Sequence, residues 1–246
     1  MTRALQSSTP PRHALWVRVC HWVLAASVLA LAYSGFYILL AHPRLYWGEV
    51  GNDLTPAWLE LPLNDNHRPD GWQQTVTFEA LANKPISANR TIEIFNENGW
   101  ARSLHFLAGW LLVAGGALYL ALGAVTKHLS RNLWPRGASL AALGRDLKSR
   151  WRPRPPRAEG YGLWQRLAYT SVALFVLPFM ALAGLAMSPR IVAAFPVLLD
   201  VFGGHQSART LHFFGFVVLL VFVAVHLIMV VLTGFGRQMR AMIAGR

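Results

Sequence analysis

Two histidines stand fourteen residues apart in a stretch apolar enough to cross a bilayer: Arg209 to Gly236 reads RTLHFFGFVVLLVFVAVHLIMVVLTGFG and carries His212 and His226. An ionisable residue in hydrocarbon is expensive and is therefore a functional candidate. Fourteen residues are nearly four helical turns, so the two imidazoles lie within about 40° of one face and roughly 21 Å apart along the axis. A metal shared by both is excluded by that distance, whereas two separate cofactors, one above the other, fit it. Neutral imidazoles from facing helices suit a b-type haem, and an iron with both axial positions filled carries electrons instead of binding substrate.

Such ligands need helices to hold them. The chain of 246 residues is 54% hydrophobic and 14% charged, with ten Trp and a mean hydropathy of +0.35, which places it in the membrane class. Four stretches reach spanning length: roughly 14–40, 103–126, 163–187 and 211–235. Each must be helical, because lipid offers backbone groups no other partner. The expected fold is therefore an all-α integral membrane bundle of four transmembrane helices forming a single domain over 1–246. A long extracytoplasmic loop, 41–101, joins the first two spans, and a basic inner loop, 127–162, joins the second and third.

Charge sets the orientation. Lys127 to Arg166 carries ten basic residues against Asp146 and Glu159, while the loop 41–101 carries eight of the eleven acids. With Arg3, Arg12 and Arg18 before the first span and Arg237, Arg240 and Arg246 after the last, the positive-inside rule puts both termini in the cytoplasm. The net charge of +12 thus acts as a topology signal beside lipid, and no nucleic-acid-binding motif accompanies it. The first apolar run lacks a persuasive cleavage site and is read as a retained span of a multi-pass protein. The single cysteine, Cys20, excludes an internal disulfide, and no Cys-x-x-Cys-His site for covalent haem is present.

Depth then sorts the histidines. His21 sits about two turns into the first span from its inner end, and His105 just inside the outer end of the second. The fourth span runs from outside to inside, so depth pairs His105 with His212 and His21 with His226, one bis-histidine site at each face. Arg18, Arg102 and Arg209 each precede a proposed ligand by three residues, in RVCH, RSLH and RTLH. That offset puts each arginine one turn nearer water on the same face, where it could meet a haem propionate. Gly35, at the depth of the outer pair, could admit a porphyrin edge, as Gly115 and Gly116 could in the second span, although helix packing explains glycines as well. A single intramembrane histidine serves as readily as a helix–helix hydrogen-bonding residue, and the arginines as snorkelling anchors. Four rings at two matched depths favour ligands. His13, His42, His67, His128 and His205 fall in loops or at interfaces, with His128 and His205 as possible substitutes.

Within the outer loop, 75–81 and 90–95 alternate well enough for short strands around a turn at 83–85. The loop reads either as a docking face for an extracytoplasmic partner or as a decorated linker. In the inner loop, 139–150 could lie as an interfacial helix and WRPRPPR at 151–157 as an extended connector attracted to anionic lipid.

Four spans, the R-x-x-H-W start at Arg18 to Trp22, the histidine opening the second span and the H-x13-H pair of the fourth resemble the bacterial cytochrome b561 family. The likeness is to dihaem cytochrome b subunits of respiratory formate dehydrogenases and nickel-iron hydrogenases, and to cytochromes paired with periplasmic molybdenum enzymes. It implies two non-covalent haem b groups on His21, His105, His212 and His226, and a quinone reacting near the cytoplasmic haem of His21 and His226. It also implies an inner-membrane location and an outside redox partner: a molybdoenzyme, a hydrogenase or a cytochrome c. The sixty-residue loop exceeds the smallest members of that family. A proton-coupled transporter relaying protons through histidines is the alternative. An integral-membrane metal hydrolase is disfavoured by the ligand separation and the lack of H-E-x-x-H.

Overall fold

The computed structural model describes residues 13–51, 56–61, 63, 98–135, 137, 139, 141–145 and 162–245. Helix α1 spans Leu15–Ala41, and a two-residue strand β1, Arg44–Leu45, pairs antiparallel with β2, Leu59–Glu60. Helix α2 spans Asn98–Val125 and is followed by a π-helical turn at Leu129–Leu133. The third span is α3, Leu163–Ser171, a π turn at Val172–Val176, and α4, Leu177–Ala186. Two short helices follow, α5 at Pro189–Ala194 and α6 at Val197–Phe202, then α7 at His205–Leu232 and α8 at Phe235–Ile243.

Among the described residues four helical stretches are long and apolar enough to cross a membrane: Leu15–Ala41, Gly99–Val125, Leu163–Ala186 and His205–Leu232. The protein is an all-α integral membrane protein. The helical starts of the second and fourth spans lie upstream of the apolar runs, at Asn98 and His205, because an N-terminus extends for as long as its N–H groups find acceptors. For α7 those acceptors come from Gly48 and Glu49. His205 N–H donates to Glu49 Oε2 at 2.9 Å, and Gln206 and Ser207 donate to the Gly48 carbonyl at 2.9 and 3.2 Å. In return Ser207 Oγ accepts from Gly48 N–H at 2.7 Å, and Thr210 Oγ1 donates to the Tyr46 carbonyl at 2.7 Å. The Glu49 carboxylate also complements the helix dipole. Arg44, only 5% exposed, is held by Glu60 at 3.1 Å.

The π turn of the third span ends two residues before Pro178. A proline ring clashes with the carbonyl four residues back, here Leu174, and a widened turn removes that clash at the cost of irregular hydrogen bonding. Leu177 N–H accordingly reaches the Val172 carbonyl. Gly234, at φ 104°, breaks α7 from α8.

The chain divides into two compact units. One takes the described parts of Met1–Ala25, Ala114–Leu177 and Leu219–Arg246; the other takes those of Ala26–Val113 and Pro178–Val218. In the first, Gly115 of α2 faces Val23 and Leu24 of α1, and Tyr169 of α3 meets Phe222 of α7 edge-on at 6.1 Å. In the second, Gly109 of α2 faces Leu31 of α1, and Gly215 of α7 faces Phe179 and Met180 of α4.

The strand expectations at 75–81 and 90–95, their turn and the connector 151–157 lie outside the described residues. Of the expected interfacial helix, residues 141–145 are helical and the remainder lies outside. The strand pair at Arg44–Leu45 and Leu59–Glu60 was not expected from the sequence.

Candidate functional site

Helix α7 supplies one ring to each unit. In the second unit His212 faces His105 of α2, with ring centroids 6.2 Å apart and planes at 63°. In the first, His226 faces His21 of α1 at 6.4 Å and 50°. These separations decide between two chemistries. An N–H···N hydrogen bond of about 2.9 Å would bring the centroids to roughly 5.2 Å, so neither pair is a directly hydrogen-bonded helix–helix contact. A metal–imidazole bond of about 2.0–2.1 Å, plus about 1.1–1.2 Å from nitrogen to ring centre on each side, gives roughly 6.2–6.6 Å across one metal atom. Both pairs fall in that window. Among the described residues no group of three or more His, Cys, Asp or Glu could hold a metal. Each imidazole pair would therefore suit a metal that is carried by a macrocycle supplying its other ligands.

The surroundings fit the same group. A Cβ on Gly35 would stand 3.3 Å from His105 Cε1, and one on Gly184 3.5 Å from His212 Cε1, so each ring of the second unit lies against a helix that carries no side chain there. Nδ1 of His21 and His226 is buried without a hydrogen-bond partner among the described residues, leaving those rings with polar capacity that these residues do not use, while the His212 ring meets the Met180 backbone. His105 differs: Ser34 Oγ stands 3.0 Å from its Nδ1. In the first unit the His226 ring is stacked on Phe222 at 5.9 Å and 17° and met by Tyr169 at 6.0 Å, so two aromatic side chains line it. Trp22 meets His21 edge-on at 5.3 Å.

The arginines sit where the sequence put them, and two have partners it did not foresee. Arg18 Nη1 donates to the Ile243 carbonyl at 2.6 Å, and Trp22 Nε1 to the Met242 carbonyl at 3.1 Å. Both therefore satisfy the free carbonyls at the end of α8. Arg18 Nε remains buried with no acceptor. Arg209 donates to Gln206 Oε1 at 3.4 Å and to the His42 carbonyl. Arg102 is exposed.

His13 and His128 lie outside the spans, in the same unit as His21. His128 is flanked by Trp16 at 5.3 Å and Tyr119 at 6.3 Å, and its Nδ1 stands 2.8 Å from Asn132 Nδ2. Burial, followed by the Arg18 charge, holds His13 below the usual histidine range. Burial, followed by His13, does the same for His128. His205, expected in a loop or at an interface, is the first residue of α7. Ser34, Gly184 and the Gly48–Glu49 cap were not found by sequence reasoning. A buried serine gives no signal of its own, since serine in a helix ordinarily bonds a preceding carbonyl.

Four membrane-length helices with paired intramembrane histidines define a membrane protein built to hold cofactors between its helices. More particularly, the chain matches the family model for prokaryotic cytochrome b561 over residues 12–245 and belongs to that family. It is therefore a transmembrane electron-transfer protein working through b-type haem. It is also similar, at 28% identity over 247 residues covering all of both chains, to the provisionally named protein-methionine-sulfoxide reductase subunit YedZ1 of Azospira oryzae. No solved structure matches it.

Proposed function

We propose that the chain, 1–246, works as a single membrane cytochrome domain holding two b-type haems, one on His21 and His226 and one on His105 and His212. It moves electrons between the quinone pool and an extracytoplasmic redox partner. The observation that carries this reading is the separation of the two imidazole pairs, 6.2 and 6.4 Å. A haem held there would supply a one-electron couple. The chain's own residues do the rest. Gly35 and Gly184 leave room beside the rings, Phe222 and Tyr169 line the His226 ring, and Arg18 Nε offers a buried donor to an anionic group such as a propionate. We assign similar propionate roles to Arg102 and Arg209.

Quinone chemistry needs proton exchange as well as proximity, which favours the unit of His21 and His226. There His13 and His128, whose pKa values burial lowers, can take up and release protons. The basic loops put the termini on the cytoplasmic face of the bacterial inner membrane, leaving the loop 41–101 for the partner. The YedZ1 likeness suggests a reductase subunit of the protein-methionine-sulfoxide type; a molybdoenzyme, a hydrogenase or a cytochrome c is the wider class.

Pyridine haemochrome analysis of fully loaded protein tests the reading, with two haems per chain expected and one or none refuting it. A haem-free protein would point to the proton-coupled transporter instead.

A further inference from the structure

The hydroxyl of Ser34 bears on which nitrogen of His105 can bind a metal. Ser34 is 0% exposed, and its Oγ has three neighbours: the Ala30 carbonyl at 2.7 Å, the Leu31 carbonyl at 3.3 Å and His105 Nδ1 at 3.0 Å. A hydroxyl owns one proton and can accept through its oxygen, whereas a carbonyl only accepts. The proton therefore goes to the nearer carbonyl, Ala30, and the oxygen is left to accept. The contact with His105 is then a hydrogen bond in which Nδ1–H donates. The Leu31 backbone, a second acceptor for the ring, asks for the same tautomer. A neutral imidazole with its proton on Nδ1 has its free lone pair on Nε2.

We propose that Ser34 is a positioning residue for His105: it accepts the Nδ1 proton, fixes the tautomer and the ring plane, and makes Nε2 the ligating nitrogen. This rests on the reading of His105 as a haem ligand. Nδ1 of His21 and His226 is buried without a partner among the described residues, and His212 has only the Met180 backbone, so Ser34 makes the two proposed sites unequal. Its acceptance raises the basicity of His105 as a ligand, and a more basic ligand favours ferric iron. The haem on His105 is thereby held at a lower potential than the same site without the hydroxyl. Gly35, beside Ser34 in sequence, leaves the space that lets the ring come this close.

The test uses the full-length, haem-loaded protein in detergent, with redox titration of the visible bands and low-temperature paramagnetic resonance. His105→Ala first identifies which haem depends on His105. Ser34→Ala should then keep that haem, since the Leu31 carbonyl remains. It should raise that haem's potential by up to about a tenfold change in ferric-over-ferrous preference, 59 mV for a one-electron couple, and shift its resonance g-values. The other haem should be unmoved, and Ser34→Thr should restore the wild-type values.

If Ser34→Ala leaves potential and g-values unchanged while His105→Ala still removes a haem, the proposal is overturned and the ligand assignment stands. If His105→Ala leaves both haems in place, the ligand assignment itself falls and takes the proposal with it. Should Ser34→Ala lose the haem outright, Ser34→Thr and Ser34→Val decide, because they match in shape and differ in the hydroxyl. Retention by Thr alone supports the positioning role, and equal behaviour of the two overturns it.

Discussion

Gly35 and Gly184 both lie against imidazoles, but not equally closely, and the difference sets a graded prediction. A Cβ on Gly35 would stand 3.3 Å from His105 Cε1, and one on Gly184 3.5 Å from His212 Cε1. Carbon atoms pack optimally at about 3.5–4.0 Å, so Gly184→Ala makes an ordinary contact while Gly35→Ala pushes the ring by a few tenths of an ångström. Overpacking costs roughly 1–3 kcal/mol. Alanine at 35 belongs at the lower end, about 1 kcal/mol, which weakens haem retention roughly fivefold. The same substitution returns about 1 kcal/mol of helix propensity, so the melting temperature should hardly move while the haem does. Leucine at 35 drives three further carbons at the ring and belongs at the upper end, about 3 kcal/mol, or on the order of a hundredfold. The assay is the haem-to-protein ratio after extended detergent dilution, with paramagnetic resonance of the His105 haem. Retention of both haems with wild-type spectra in Gly35→Leu would refute the placement of Gly35, as would a Gly184→Ala variant as damaged as Gly35→Ala.

Because each unit contains its own imidazole pair, His105→Ala should remove one haem and His21→Ala the other; loss of both from either folded variant would contradict independent sites. A quinone-analogue inhibitor should shift the spectrum of the haem lost in His21→Ala, and a shift confined to the haem lost in His105→Ala would move the quinone site to the unit of His105 and His212. The lowered folded-state pKa values of His13 and His128 mean that the unfolded chain binds more protons below the ordinary histidine value of about 6.5. Stability should therefore be full above that pH and fall as the medium is acidified through it. Thermal melts across that range should show this slope, and a His13→Gln, His128→Gln double variant that keeps the wild-type slope would show that these residues do not cause it.

The membrane helices were legible because lipid enforces one backbone solution, so hydropathy and length suffice to find them. Their ends were less so. The apolar run of the fourth span predicts a start near 211, yet α7 begins at His205, because Gly48 and Glu49 supply acceptors from a segment more than 150 residues away in sequence. Hydropathy locates hydrocarbon and is blind to such caps. The histidine pairing was readable from depth, since α7 carries its two rings on one face and α1 and α2 each offer one intramembrane candidate. Ser34 was not, because nothing local distinguishes a serine bonded only to its own helix from one that also accepts from a histidine 71 positions away.

The arginine offset shows how a sequence pattern can leave out the partners a side chain takes. Three residues before a ligand, Arg18 and Arg209 do lie one turn from the histidines, yet each also binds a backbone carbonyl, of Ile243 and His42 respectively. Those carbonyls belong to the end of α8 and to the residue just after α1, where helical bonding runs out. A guanidinium carries five donors, so serving a carbonyl does not consume it. Arg18 illustrates the remainder: Nη1 is engaged while Nε is buried with no acceptor, a state that costs about 1–3 kcal/mol unless an anionic partner relieves it. The same side chain can therefore fasten α8 over the start of α1 and keep a donor for a propionate. Arg18→Lys, which retains charge but loses the fork, should weaken both functions together, loosening protease protection of α8 and lowering retention of the His21 haem. Loss of α8 protection with that haem fully retained would assign Arg18 to the helix end alone.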